Sequence, residues 1–169
     1  MPATYEPIST TILGSATTLV TLSGIPSTYT DLRLVVTGTL ASGGAIVVRP
    51  NGVTSGSLSS SQYSYTTGSA NTSAAAVSQN DWKIGGAQTQ STNASLWGFT
   101  LDIFNYTTAS AWKVAQSALN SANNTSTMYL INGAHLYRSS TAISSLGVYA
   151  AGKNFSIGST FRLYGILKA

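Results

Sequence analysis

The chain of 169 residues has no cysteine, a single histidine, four acidic residues and two methionines, and only 7% of it is charged. Without cysteine there is no disulfide, thiolate nucleophile or thiolate metal site, so the fold is indifferent to the redox compartment. One histidine and four scattered carboxylates leave a metal centre without enough ligands. No stretch approaches the roughly 18 apolar residues of a membrane span. The opening "MPATYEPISTT" lacks the basic start and apolar run of a signal peptide, so release by cell lysis is the expected route to the outside. The eight basic residues are spread singly from Arg33 to Lys168. Nucleic-acid binders cluster theirs along a groove or stripe, so no nucleic-acid partner is expected. The net charge of +4 reflects the shortage of acids.

The chain is 43% hydrophobic with a mean hydropathy of +0.14, which sets it apart from disordered sequences. Serine and threonine abound, so its surface is built from hydroxyls, amides and glycine. Length and pattern fit one domain over 1–169.

Apolar residues recur with period two between turn-forming clusters, the signature of an all-β chain. "DLRLVVTGTL" sets Leu32, Leu34 and Val36 against Arg33, Val35 and Thr37, and "AIVVR" is stopped by "PNG". In "SLWGFTLDIFNY" the alternation assigns Trp97, Phe99, Leu101 and Ile103 to the core and Thr100, Asp102, Phe104 and Tyr106 to the other face. "AWKVAQSAL" reads as a strand among strands, and "TMYLINGAHLYR" as one strand or two halves about Asn132 and Gly133. The terminal "STFRLYGIL" alternates almost to the end and is expected to close a sheet. Residues 53–75, rich in Ser, Gly, Thr and Ala, read as a long loop or weakly paired excursion, and 1–9 as an extended N-terminal arm. About nine strands in one domain predict an antiparallel β-sandwich, jelly-roll-like, because open sheets leave unprotected edges.

A catalytic triad would have to come from Asp102, His135 and a serine such as Ser139, but no GxSxG elbow is present and His135 reads as an ordinary strand residue. Asp81 beside Trp82 is the most suggestive place for carbohydrate chemistry, although turn and core roles account for both. No catalytic residue, metal or cofactor is assigned. Tyr63, Tyr65 and Trp82 are the candidate glycan contacts. Tyr5, Ile8, Arg33, Arg49, Arg138 and Arg162 are the candidate contacts with a protein partner.

Three phrases together, "MPATYEPISTTILGSATTLVTLSGIPSTYTDLRLVVTGT", "LDIFNYTTASAWK" and "FSIGSTFRLYGI", resemble a group of small virion structural proteins of tailed bacteriophages, common among marine and cyanobacterial phages. The resemblance covers about half the chain and is weakest over 45–90. It implies a β-sandwich present in many copies on a particle, decorating the capsid or forming part of the tail or its fibres, and it brings no catalytic residues. The expectation is a capsid decoration or cement protein on the virion surface. Its partners would be copies of itself as a homotrimer and the major capsid protein, with a host surface glycan as partner if it serves instead as a tail or head-fibre binding module.

Overall fold

The structure, a computed structural model, describes residues 5–40, 44–54, 59–67, 70–85, 96–122 and 128–167. Twelve strands are present among them, rather than about nine. In chain order they are β1 (Tyr5–Ile12), β2 (Leu19–Ser23), β3 (Asp31–Gly38), β4 (Ala45–Pro50), β5 (Ser59–Thr67), β6 (Ala70–Gln79), β7 (Trp82–Gly85), β8 (Trp97–Phe104), β9 (Lys113–Ala122), β10 (Met128–Tyr137), β11 (Ser145–Ala151) and β12 (Thr160–Ile166). They form an eight-stranded sheet in the order β1-β12-β3-β8-β9-β10-β5-β6 and a four-stranded sheet in the order β2-β11-β4-β7. Every pairing is antiparallel, and the two sheets make an all-β sandwich.

Register explains the burial. One row runs across the whole large sheet through Thr10, Arg162, Val35, Thr100, Ala118, Asn132, Ser64 and Ser73, and none of these is buried. The next row carries Phe161, Val36, Phe99, Leu119 and Ile131, all buried against the four-stranded sheet. Two-sheet burial on one face and an open opposite face is what period-two sequences encode. Leu32, Leu34, Val36, Trp97, Phe99, Leu101 and Ile103 all enter the core as their alternation predicts. Phe155 stacks edge-on against Phe161 with centroids 5.1 Å apart and lies 5.9 Å from Trp97, anchoring the core at one end.

The structure corrects the N-terminal arm and the outward placement of Tyr106, and it decides two readings the sequence left open: residues 53–75 as loop or paired excursion, and "TMYLINGAHLYR" as one strand or two halves. The supposed arm is β1 from Tyr5 onward, hydrogen-bonded along β12, with Ile8 packed against the core. Residues 59–67 and 70–79 form a β-hairpin docked on β10, not a loop, because the β10 edge supplies backbone partners to a segment whose side chains give no hydrophobic signal. Tyr106 lies beyond the end of β8 and turns inward, where its hydroxyl donates to the Pro26 carbonyl. β10 runs unbroken through Asn132 and Gly133, because β9 and β5 hold it on both sides. In the turn after β4, Asn51 and Gly52 both adopt positive φ, and the Asn51 side chain fastens the turn to Ala142 O at 2.9 Å and Ser144 N at 2.8 Å.

Candidate functional site

The residues with chemical potential are dispersed by the fold. His135 stands on β10 in the buried row of Ala115 and Ile103, and Asp102 stands in the adjacent outward row, opposite Gln116. The imagined triad is therefore split between the two faces of one sheet. Ser139 uses its carbonyl to accept from the Lys113 ammonium at 3.0 Å. The serine that does meet His135 is Ser117, with Oγ 2.8 Å from Nε2. A serine–histidine contact is where nucleophilic catalysis begins, but these two are buried, 1% and 3% exposed. Burial lowers the His135 pKa from 6.5 to about 4, so the imidazole is neutral across the physiological range. Among the described residues no group of three or more His, Asp or Glu comes together.

Trp82 is corrected as a glycan contact. Its ring is fully buried, tilted against His135 at a centroid distance of 5.9 Å, and its Nε1 donates to Leu136 O at 3.0 Å. Asp81 beside it accepts from Arg49 Nη2 at 3.4 Å. Tyr63 and Tyr65 stand on β5 opposite Gly133 and Ile131, both buried; the tyrosine side chains lie outside the described residues.

Two of the basic candidates for partner contact, Arg33 and Arg49, are engaged within the chain. Arg33 makes a two-pronged pair with Asp102, at 2.5 and 2.7 Å, and lies 5.3 Å over the Tyr5 ring, which ties β1, β3 and β8 together. Asp102 beside Arg33 holds the guanidinium pKa above its ordinary value. Arg49 stacks on Tyr149 at 4.7 Å besides meeting Asp81. Arg162 lies in the outward row between Thr10 and Val35, and Arg138, half-buried, follows β10.

What the sequence did not reveal is where the exposed apolar side chains converge. Ile12, Ile157, Leu96, Met128 and Leu130 are 65%, 69%, 70%, 72% and 46% exposed. Ile12 shares a row with Thr160, Thr37, Gly98, Asn120 and Leu130; Leu96, just before β8, and Met128, at the start of β10, lie two residues further toward the same end. Ile157 joins them through the turn in which Gly158 N donates to Leu13 O at 2.8 Å. Five exposed apolar side chains thus stand along one end of the sheet, an apolar rim spread from β1 to β10 over six strands or about 24 Å, with Thr160, Thr37, Gly98 and Asn120 between Ile12 and Leu130. A second group, Tyr5, Phe104, Trp112 and Val114, occupies the opposite end of the sheet. Ile12 and Met128, or Tyr5 and Val114, are far apart in sequence, and only the strand order puts them at the same end of the sheet.

Between the two ends the open face bears a groove of about 500 Å³ lined by Ser64, Ser73, Gln116, Asn132, Ala134 and, at one wall, Phe104. It holds amides, hydroxyls and one aromatic edge. No family model, curated protein or solved structure matches the chain.

Proposed function

We propose that this protein is a non-enzymatic structural component of a tailed-bacteriophage virion, a decoration or cement protein that binds the capsid surface as a homo-oligomer. The observation that carries the reading is the apolar rim of Ile12, Leu96, Met128, Leu130 and Ile157. Isolated exposed apolar residues are ordinary, whereas five at the same end of one sheet suit a surface that another protein covers. The dispersal of His135, Asp81 and Asp102 supports a role without catalysis, and the sparse charge suits close packing against identical neighbours. The resemblance of both ends and the centre of the chain to phage virion proteins supplies the particle.

The test is co-sedimentation with capsids that lack this protein. Native protein is expected to pellet with them, and a variant carrying Ile12→Ser, Leu96→Ser and Ile157→Ser is expected to remain in solution while keeping its circular dichroism. Undiminished capsid binding by the variant would remove the rim from the argument, and density confined to the tail in virion images would remove the capsid reading. A second reading, a receptor module that binds a glycan, is favoured by the groove along Gln116 and Asn132. It predicts saturation transfer from the protein to a neutral oligosaccharide, lost on Phe104→Ala.

A further inference from the structure

The two edges of the eight-stranded sheet are built differently. β1 carries the devices that keep a strand edge from pairing: Pro7 has no N–H to offer, the ladder shifts register between Pro7 and Ser9, and Glu6 adds a charge. β6 reads "ANTSAAAVSQ", ten residues without proline or a charged side chain. It pairs with β5 in unbroken register from Ala70 opposite Thr67 to Ala76 opposite Ser61, and irregularity enters only beyond Ala76. Among the described residues no strand pairs with its other side. The edges of the smaller sheet are short, five residues in β2 and four in β7. Among the described residues β6 is therefore the one long sheet edge able to accept a strand.

In an antiparallel strand every second residue directs its N–H and C=O to one neighbour and the residues between direct theirs to the other. Along residues 70–76, where the register is unbroken, half the backbone groups thus face the open edge. Small uncharged residues flank them, with Ser73 exposed opposite Ser64.

We infer that β6 pairs antiparallel with β6 of a second copy about a two-fold axis, joining two eight-stranded sheets into one of sixteen. The same chain is the occupant the edges select. Pairing β6 with β1 of another copy would be head-to-tail and unending, and Pro7 with its register shift blocks it. Pairing β6 with itself closes after two copies, and having no charge it sets no like charges against each other across the axis. This contact uses a different surface from the apolar rim, and it stands whether or not the protein belongs to a virion. A two-fold contact differs from the threefold assembly expected from the sequence, and the sedimentation data distinguish the two.

The experiment is sedimentation equilibrium of the purified full chain over a wide concentration series, beside Ser73→Pro, Ala74→Pro and Ser73→Lys. Of the two proline variants, one removes an N–H bonded to β5 and lowers the melting temperature. The other removes an N–H aimed at the open edge and leaves the fold intact. Native protein is expected to dimerise. The intact proline variant is expected to raise the dimer Kd about thirtyfold, through two backbone hydrogen bonds lost per dimer. Ser73→Lys sets like charges near the axis and is expected to weaken the dimer with no change in melting temperature; it decides the matter should both proline variants unfold. Amide exchange adds a direct reading, since alternate β6 amides gain protection with concentration while those of β1 do not. A chain that stays monomeric throughout, or an oligomer of any size that the edge-directed variants leave unchanged, overturns the inference.

Discussion

Acid should destabilise this fold through one side chain. His135 is 3% exposed, bonded to Ser117, 5.9 Å from the Trp82 ring, and flanked in its row by Ala115 and Ile103. Burial holds its pKa at about 4 in the folded chain, against 6.5 for an ordinary histidine. Near pH 7 the group is neutral in both states and nothing is lost. As pH falls below 6.5 the unfolded chain takes up the proton and the folded chain does not, so stability declines until about pH 4, below which both states carry it. That gap corresponds to about 3 kcal/mol, at roughly 1.4 kcal/mol per pH unit. A domain of ordinary stability, roughly 5–15 kcal/mol, would feel such a loss strongly. The assay is urea unfolding of native protein and His135→Gln from neutral pH down to about 4. Glutamine keeps a polar partner for Ser117 and does not titrate, so the difference between the two proteins isolates the imidazole from every carboxylate. The native protein is expected to lose about 3 kcal/mol more than the variant over that range. Parallel stability curves would show that the imidazole is hydrated in the folded state and would refute the reasoning.

Two further outcomes follow from the packing. Gly165 of β12 lies under the Tyr29 ring, so that a methyl group there would overlap Cγ and Cδ2; Gly165→Ala is expected to cost about 1–3 kcal/mol in chemical denaturation and to break the Tyr29 bond to Glu6, whereas Gly14→Ala, with open space around it, is expected to cost nothing measurable. Asp102→Asn weakens the two-pronged contact with Arg33, but the side chains are 36% and 24% exposed. Its cost should stay at or below about 1 kcal/mol and shrink as salt is added.

The sequence was most legible where a strand has one covered face and apolar residues to mark it. β3, β8 and β12 are of that kind, and their inward rows fall where alternation puts them. β9 shows the limit. Trp112 and Val114 look like its apolar face, yet they are exposed, while Lys113 is fully buried with its ammonium on Ser139 O. Its register is set by β8 and β10 on either side, and a lysine whose head finds a carbonyl can occupy an inward position. β5 and β6 carried no signal because Ser, Ala and Thr suit either face; their strand character comes from pairing with β10 and with each other. Trp82 beside Asp81 suggested a sugar platform because an aromatic next to an acid looks the same in sequence whether the ring is open or buried. The apolar rim was invisible for a different reason. Ile12, Leu96, Met128 and Ile157 are separated by most of the chain, and their meeting depends on a strand order that no local pattern states.

The pairing of β1 with β12 sets how the molecule bears load. Tyr5 lies opposite Ile166, so the chain enters and leaves the sheet at one corner. Tension applied through both ends pulls these strands apart like a zip, one residue pair at a time, instead of loading all their hydrogen bonds together in shear. The fold yields first at that corner and last, within this pair of strands, at Ile12 and Thr160. A load applied at Tyr5 or Ile166 acts at the end of the sheet away from the apolar rim, so the strain is spent in peeling one strand before it reaches Ile12.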